Sequence, residues 1–383
     1  MSLSMRIKTF LLKILVQLLK LCYQPFRLLR PRDKLVMITR QTNHPPLDYV
    51  LLRDAVLSID PEHKIVILSK RIGKSYMKKL GYCLHMFRQM YHIATAHVIV
   101  TDGYCMALSL LPHRKDQCVV QIWHAINAIK NFGHLAVGKP YGHRPELAEA
   151  MHMHSNYDVV TCCSRHTAEV YSKAFGVPTE KIAYLGLPRI DYIQTRREDI
   201  IDAMRRKYPQ IKDKPCILYA PTFRKGKMIP LELITQAVDL DRYNLVVKLH
   251  PIDQAGFQPG LDSRVICDKT FLPYDWMQAC DIIITDYSSI AVESTLLEKP
   301  LYFFLYDYDD YNSKNGLIMD IFNEPIGRYI AHEPDELREM LSREYDLAAV
   351  RAYRDKYIEV AREHCSEKMA AWLLELEKQM ISK

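Results

Sequence analysis

Short apolar runs alternate with amphipathic stretches along most of the chain, from residue 35 onward. Eleven runs have the length and the β-branched content of buried strands. They are predicted at 35–39, 64–69, 97–101, 118–123, 158–163, 181–185, 216–220, 244–249, 264–267, 281–285 and 301–305. Strands that alternate with helices form parallel sheets covered on both faces. The order therefore predicts an α/β protein.

The predicted strands fall into two series, separated by the charged stretch 192–214, which begins with a predicted helix. A chain of 383 residues is long enough for two domains, each with its own core. We therefore predict two doubly wound domains facing a cleft, residues 35–205 and 206–383, with long helix over about 335–381. In such domains, ligands bind outside the carboxyl ends of the strands.

The formal net charge of +7 lies in one segment. Residues 1–34 contain eight Lys and Arg and one Asp, whereas the other 349 residues carry 44 basic and 44 acidic groups. A nucleic-acid-binding protein would spread basic residues over a folded face, so we predict no nucleic-acid partner. Ten cysteines without a CxxC pair form neither a disulfide framework nor a zinc motif, which is typical of a reducing, cytosolic compartment.

The segment 1–34 also has a helical pattern of polar and apolar positions. Polar residues recur every three, four or seven positions, at Arg6, Lys13, Gln17, Lys20, Gln24 and Arg27. Leu-rich positions fill a wide opposite face, but no run is long and uncharged enough for a membrane span or a signal peptide. A basic stripe beside a broad apolar face is typical of a helix in the interface of a membrane with anionic lipids. A helix packed on its own domain or in a dimer is the alternative.

Polar side chains follow four of the predicted strands. His124, Asn127 and Lys130 follow strand 118–123, and Thr222 and Arg224 follow strand 216–220. Lys248 and His250 lie at the end of strand 244–249, and Asp286, Ser288, Ser289 and Glu293 follow strand 281–285. Because the carboxyl ends of parallel strands lie at one edge of a sheet, we expect these groups to converge on a ligand.

Several of these residue types suit the chemistry of a phosphorylated substrate. The hydroxyls of Ser288 and Ser289, with the N–H groups of a helix that begins there, would form an anion site. Asp286 or Ser288 could instead be a simple N-cap. His124 is suited to take a proton from an attacking hydroxyl, with a structural histidine as the alternative.

The remaining polar groups allow two interpretations each. Lys130, Arg224 and Lys248 would suit a diphosphate or an exposed surface, and Glu293 would suit ribose hydroxyls or solvent. The P-loop, GxGxxG, HExxH and GxSxG motifs do not occur. The acidic run DYDDY at 307–311 lacks the ligand spacing of a Ca²⁺ or Mg²⁺ loop and is predicted to be a loop after the last strand. Neither a metal nor a cofactor is predicted.

Four segments resemble the CDP-glycerol:poly(glycerophosphate) glycerophosphotransferase family of wall teichoic acid synthesis. They are WHAINAIKNFG, APTFR, KLHP and TDYSSIAVESTLLEKPLYFFLYDYDDY, in the same order within about residues 35–330. The resemblance implies a GT-B-like fold, peripheral association with the cytoplasmic side of the cell membrane, and transfer of glycerol phosphate from CDP-glycerol. It also implies that His124 is the catalytic base and that His250, with Ser288 and Ser289, handles the nucleotide diphosphate.

Within the family, the pattern WHA…AIK.FG is more similar to the primases, which add the first glycerol phosphate to an undecaprenyl-diphosphate-linked ManNAc-GlcNAc disaccharide. We therefore predict a primase that releases CMP, in which Arg224 also holds the diphosphate and Glu293 the ribose. The alternatives are a glycerol- or ribitol-phosphate polymerase, a GT-B glycosyltransferase that uses a sugar nucleotide, and a membrane-docked scaffold without activity. A homo-oligomer is also left open.

Overall fold

The computed structural model describes residues 3–383 except 74, 128, 226, 251–261, 263 and 361. Within these residues there are twelve β-strands and fifteen α-helices. The strands are β1 Leu35–Thr39, β2 Ile65–Ser69, β3 Val98–Thr101, β4 Cys118–Gln121, β5 Val159–Cys162, β6 Ile182–Tyr184, β7 Cys216–Tyr219, β8 Asn244–Val247, β9 Val265–Cys267, β10 Ile282–Thr285, β11 Leu301–Phe304 and β12 Ile330–Ala331. The helices are α1 Leu3–Arg27, α2 Leu47–Ile59, α3 Tyr76–Ala94, α4 Met106–Leu110, α5 Pro145–Ala150, α6 Ala168–Phe175, α7 Arg189–Gln194, α8 Glu198–Lys207, α9 Leu231–Ala237, α10 Pro273–Ala279, α11 Ile290–Ser294, α12 Tyr308–Asn315, α13 Pro334–Leu341, α14 Leu347–Tyr357 and α15 Cys365–Ile381.

The chain divides into two compact units. Unit 1 comprises Met1–Ile126, Phe132–Arg189 and Val360–Lys383. Its six strands form one parallel sheet in the order β2-β1-β3-β4-β5-β6. Strands β1, β3 and β4 are buried along their whole length, as expected of parallel strands covered by helices on both faces.

Unit 2 comprises Asn127–Asn131 and Ile190–Glu359. Its sheet is also parallel, in the order β12-β11-β10-β7-β8-β9, which is the strand order of a dinucleotide-binding fold. All eleven predicted strands are present, so the prediction of two doubly wound α/β sheets is confirmed. The two-residue strand β12 is too short to produce a periodic signal in the sequence.

The long segment of unit 2 begins at Ile190, whereas the predicted domain boundary lies between residues 205 and 206. Residues 190–205 belong to unit 2, because helix α7 and the turn after it are tied to α10. The side-chain amide of Gln278 in α10 donates hydrogen bonds to the carbonyls of Tyr192, Ile193 and Thr195 at 3.0, 3.0 and 2.9 Å. The charged composition of this stretch gave no sign of these main-chain contacts.

The C-terminal end of the chain also differs from the predicted division, because α15 belongs to unit 1. It packs on α2, and its Glu377 carboxylate lies 3.0 Å from His63 Nε2. The buried face of α15 includes Met369 and Leu373. The long helix predicted over 335–381 is instead three helices, α13, α14 and α15.

The acidic run at 307–311 is not the predicted loop but the start of helix α12. Asp307 is its N-cap, and the Asp310 carboxylate lies 2.8 Å from Lys227 Nζ and 2.5 Å from Lys314 Nζ. Acidic residues in the first turn of a helix are stabilised by the helix dipole, so a run of aspartates is compatible with a helix start.

The N-terminal amphipathic helix is confirmed as α1, which packs on α3 and α5 of unit 1. Val16 and Tyr23 are its buried anchors. Its wide apolar face is exposed to solvent, and the side chains on it are Phe10, Leu11, Ile14, Leu15, Leu18 and Leu21. None of the helices in the described part of the chain has the combined length and hydropathy needed to cross a bilayer.

Candidate functional site

Each sheet reverses its strand order at one pair of neighbouring strands. The pair is β1 and β3 in unit 1, and β7 and β10 in unit 2. Loops that leave such a pair run in opposite directions, so a crevice forms outside the carboxyl ends of the two strands, where doubly wound sheets bind ligands. We call these two places the switch points of unit 1 and unit 2.

An aspartate lies at the switch point of unit 1. Asp102 directly follows β3, and its Oδ2 accepts a hydrogen bond of 2.7 Å from the Thr39 hydroxyl at the end of β1. Its other carboxyl oxygen, Oδ1, is buried and has no hydrogen-bond partner among the described residues. Burial raises the pKa of Asp102 to about 7, and the Thr39 hydroxyl acts in the opposite direction. This carboxyl group therefore titrates near neutral pH.

His124 follows β4 and is oriented by the main chain of the same aspartate. Its Nδ1 lies 2.8 Å from the Asp102 carbonyl oxygen and 3.4 Å from the side-chain nitrogen of Gln41. Because a carbonyl oxygen can only accept, we assign the proton to Nδ1 and a lone pair to Nε2. This is the tautomer that a general base requires.

The backbone turns sharply just before His124. Trp123 has a φ of 59°, in the left-handed region that bulky residues rarely adopt, and its N–H donates to Gln121 Oε1 at 2.9 Å. The Trp123 ring lies 3.9 Å, centroid to centroid, from the His124 ring. Strained backbone of this kind persists only where the surrounding structure enforces it, and it concentrates at functional sites.

The residues that orient His124 were missed in the sequence. Asp102 and Gly103 follow the predicted strand 97–101, so their position at a strand end was a usable signal. A Cβ atom at Gly103 would lie 3.1 Å from the side-chain nitrogen of Gln41, which leaves little room for a side chain beside the imidazole. Gln41 carried no signal, because an exposed glutamine in a loop is an ordinary feature.

The switch point of unit 2 also contains an aspartate, but its partners are charged. Asp286 follows β10 and is fully buried. Its carboxylate accepts from the Thr222 N–H, which follows β7, at 2.8 and 3.0 Å, and it pairs with Arg224 Nη2 at 2.9 Å. Arg224 pairs as well with Asp307 at 2.7 and 3.0 Å and donates to the Thr222 carbonyl at 2.7 Å. The rings of Tyr287, Tyr306 and Tyr311 surround the guanidinium.

Three residues predicted to bind the donor are therefore engaged with protein groups. The Arg224 side chain is 3% exposed, and Asp286 is its buried counter-ion. Lys248 is also buried, and its ammonium contacts the Asp268 carbonyl at 3.0 Å and the Asp268 carboxylate at 3.2 Å. Their arrangement is that of residues that position the loops, because their charges are already compensated inside the protein.

Lys130 lies in unit 2 and differs from these cations. It is half-buried and pairs with Leu317 through a short antiparallel bridge of the backbone. Its ammonium forms no hydrogen bond or ion pair with any described residue. Burial lowers its pKa to about 8, whereas the charge of Asp286 acts in the opposite direction and that of Arg224 in the same direction.

Hydroxyl groups lie at the same switch point. Ser288 and Ser289 are half-buried and follow Asp286 directly, and Ser288 Oγ accepts from the Ile290 N–H at 3.3 Å. Thr222 Oγ1 is buried and has no hydrogen-bond partner in the described part of the chain. Donors without partners are costly to bury, so this hydroxyl is suited to an oxygen atom of a ligand.

The other predicted site residues differ in exposure. Asn127 and Glu293 are each 1% exposed, so a ribose could meet Glu293 only by entering the protein to that depth. His250 is exposed, and its ring lies 5.9 Å from that of Phe223. Pro251, the proline of the KLHP segment, lies outside the described residues. Among the residues that are described, no group of three or more His, Cys, Asp or Glu has an arrangement that could hold a metal ion.

Known proteins share this sequence pattern. The profile of the CDP-Glycerol:Poly(glycerophosphate) glycerophosphotransferase family matches residues 52–375. The chain is 29% identical over 380 residues to the teichoic acid ribitol-phosphate primase of Bacillus spizizenii, covering 96% of this chain and 97% of that protein. It is also 29% identical over 281 residues to the teichoic acid glycerol-phosphate primase of Bacillus subtilis, covering 72% of each chain.

A solved structure has the same fold. A variant of the wall teichoic acid polymerase TagF superposes with a TM-score of 0.75 at 17% identity, and the match covers 100% of both chains. At this identity the likeness concerns the fold alone. Together with the two parallel sheets, it confirms the predicted α/β, GT-B-like fold class.

Proposed function

Because the chain belongs to the CDP-glycerol:poly(glycerophosphate) glycerophosphotransferase family, we propose that it is a primase of wall teichoic acid synthesis. It transfers glycerol phosphate from CDP-glycerol to an undecaprenyl-diphosphate-linked ManNAc-GlcNAc disaccharide. The oxygen of an acceptor hydroxyl forms a bond to the β-phosphorus, the bond between this phosphorus and the bridging oxygen breaks, and CMP leaves. The hydroxyl proton goes to His124 Nε2.

The observation that carries this proposal is the orientation of His124. The Asp102 carbonyl, 2.8 Å from Nδ1, fixes the ring and the tautomer, so that Nε2 is the nitrogen with the lone pair of a base. A positioned imidazole is suited to a displacement at phosphorus, because this reaction requires of the protein mainly positioning and charge stabilisation.

The donor is assigned to the switch point of unit 2. Lys130 would neutralise the diphosphate, and the hydroxyls of Thr222, Ser288 and Ser289 would donate to its oxygens. His250, whose ring is exposed, would hold the phosphate of the leaving nucleotide. Arg224, Asp286 and Lys248 are proposed as positioning residues, and Asn127 and Glu293 are proposed to contact the donor.

A specific observation favours a second candidate, in which the donor is CDP-ribitol. The ribitol-phosphate primase relative is matched over 97% of its length at the same 29% identity as the glycerol-phosphate primase. The two donors differ only in the alcohol, so the groups assigned to the diphosphate and to the base would be unchanged. The length of the alcohol is what the site must distinguish.

A direct assay compares the two donors. Purified protein is incubated with a lipid-linked disaccharide and either CDP-glycerol or CDP-ribitol, and CMP release and product mass are measured. We expect CMP release with CDP-glycerol and the addition of a single glycerol phosphate. Activity with CDP-ribitol alone would show that the donor is CDP-ribitol. A ladder of products would show that the protein is a polymerase and not a primase. Transfer from a sugar nucleotide would favour a glycosyltransferase, and failure to bind any CDP-alcohol would favour a scaffold.

We further propose that unit 1 docks on the cytoplasmic face of the membrane through α1 and α3. The exposed apolar side chains of α1 are 43% to 67% exposed. Helix α3 adds a stripe of apolar residues that are 45% to 75% exposed, at Met77, Leu80, Leu84 and Phe87. The segment between Glu62 and Asp102 contains no acid and seven basic residues, namely Lys64, Lys70, Arg71, Lys74, Lys78, Lys79 and Arg88. Apolar side chains flanked by cations fit a bilayer with anionic headgroups.

Vesicle flotation tests this surface. We expect a variant with Leu11→Glu and Leu84→Glu to float with anionic vesicles at least about tenfold less than the unmodified protein, because each buried leucine contributes about 1.5–3 kcal/mol. Binding of CDP-glycerol should be retained. The control Ile381→Glu changes an exposed apolar residue of α15 in the same unit and should float normally. Equal flotation of all three proteins would contradict the proposed surface.

A further inference from the structure

A cavity of about 630 Å³ opens in unit 1 beside helix α1. One wall is formed by Lys13, Val16 and Gln17, which lie on one face of α1 because they are three and four positions apart. The facing wall is formed by the 3-10 helix at residues 133–136, by α5 and by the loop that follows α5. Its volume is in the range of sites that bind small molecules. We call it the α1 cavity.

The lining of the α1 cavity combines one cation, one carboxylate and several neutral polar groups. The polar residues are Lys13, Gln17, His134, Glu149, His152 and Ser155. Burial lowers the pKa of His134 and so favours its neutral form, whereas a hydrogen bond with the Met153 main chain acts in the opposite direction. An ammonium suits phosphate oxygens, and neutral donors and acceptors around it suit sugar hydroxyls. Val137 and Met153 provide apolar contacts.

The loop after α5 has a strained backbone beside this cavity. His152, His154 and Asn156 have φ values of 43°, 57° and 68°, all in the left-handed region. The Asn156 amide holds the loop by donating to the carbonyls of Leu108, Ser109 and Leu111, each at 3.1 Å. Three such residues within five positions are energetically costly, and strain of this kind is characteristic of sites that hold a ligand.

Ring contacts connect the cavity to the proposed base. His134, in the cavity wall, lies 5.9 Å from the ring of His154, which lies 6.3 Å from Trp123. Trp123 in turn lies 3.9 Å from His124. All four rings belong to unit 1. The wall of the α1 cavity and His124 are therefore connected through one cluster of packed rings.

We propose that the α1 cavity binds the phosphorylated sugar head group of a lipid-linked acceptor, an inference that rests on the proposed function. Helix α1 exposes its leucines on a different face from the one that lines the cavity. If the leucines enter the bilayer surface, the polar flank of α1 lies at the depth of the lipid headgroups, where a diphosphate anchored by its lipid is found. Lys13 pairs with this diphosphate, and His134 and Gln17 bind the sugar.

The test measures binding of a water-soluble, short-chain prenyl diphosphate disaccharide by titration calorimetry. Lys13→Gln removes the cation without disturbing the fold, because the side chain is exposed, and should weaken binding about tenfold. Val137→Trp fills the cavity and should weaken binding at least as much. The same disaccharide without its diphosphate should bind the unmodified protein and Lys13→Gln equally.

The matched control is Lys20→Gln, which removes the same charge from the same helix at a position that does not line the cavity. Its effect measures what the charge of α1 contributes outside the cavity, and we expect less than a twofold change. Equal weakening by both lysine variants, or no weakening by Lys13→Gln and Val137→Trp, would overturn the assignment. Since binding of the acceptor needs no donor, binding that depends on Lys13 without CMP release would support the cavity and contradict the proposed function. CMP release together with acceptor binding that is unchanged in Lys13→Gln and Val137→Trp would support the proposed function and contradict the assignment of the cavity.

Discussion

The two switch points have the same construction but different electrostatics. At each, an aspartate follows the second strand of the pair and binds a group near the end of the first, which is the Thr39 hydroxyl at the end of β1 in unit 1 and the Thr222 N–H after β7 in unit 2. Asp102 has neutral partners and a pKa raised to about 7 by burial, whereas Asp286 is paired with Arg224. The first arrangement allows a proton to move near neutral pH, and the second fixes charges in place.

This difference separates the proposed roles of the two units. The polar groups of unit 1 orient a base without surrounding it with charge, so their loss should affect turnover more than folding. The charges of unit 2 compensate one another inside the protein, so their loss should affect folding first. Substitutions at the two switch points test this division.

The largest effect is expected at His124. His124→Ala removes the proposed base and should lower the rate of CMP release about 10²- to 10⁴-fold. Because the side chain is half-buried and held by a main-chain carbonyl, the thermal unfolding midpoint should change little. His166→Ala, at an exposed histidine of the same unit, is the control and should keep full activity. Full activity of His124→Ala would exclude the base assignment.

The next effect is on stability, at Arg224. Arg224→Met leaves Asp286 and Asp307 without their common partner, and loss of one member of a buried ion pair costs about 3–5 kcal/mol in the free energy of unfolding. Urea unfolding followed by tryptophan fluorescence measures this loss. The matched control Arg328→Met breaks an exposed pair with Asp346 in the same unit and should cost about 1 kcal/mol or less. Similar losses in both variants would show that the buried Arg224 ion pairs contribute no more to the free energy of unfolding than an exposed pair.

The smallest effect is a change in pH dependence at Lys130. Its pKa, lowered by burial to about 8, means that the ammonium is charged below pH 8 and neutral above it. If the charge binds the donor, kcat/KM for CDP-glycerol should fall about tenfold between pH 7 and pH 9. Asp286 and Arg224 are the charged groups that act on it. Lys130→Arg replaces the ammonium by a guanidinium that stays protonated over this range, so the fall in kcat/KM should disappear. An unchanged profile would argue against Lys130 as the titrating group.

The strands were predictable because a buried parallel strand requires a continuous apolar run, and this requirement is local. The packing of α15 on unit 1 could not be predicted, because it depends on contacts such as that between Glu377 and His63, which lie far apart in sequence. The four segments that resemble the family could also be identified from the sequence, since they follow or include predicted strands.

The roles of the cations could not be predicted from the sequence. Arg224, Lys248 and Lys130 all follow strands and all looked suited to a diphosphate. What distinguishes them is the position of their partners, such as Asp307, which is 83 residues from Arg224. Whether a cation is compensated by the protein or left for a ligand is decided by tertiary contacts of this kind.

Helix α15 has a consequence for the order in which the protein is made. Because it follows every residue of unit 2 in the chain and completes the core of unit 1, unit 2 can fold on the ribosome while unit 1 still lacks its last helix. The exposed leucines of α1 are therefore synthesised long before α15, the helix that completes the unit to which they belong. Removing α15 should leave unit 2 intact and make nascent unit 1 a target for chaperones and proteases.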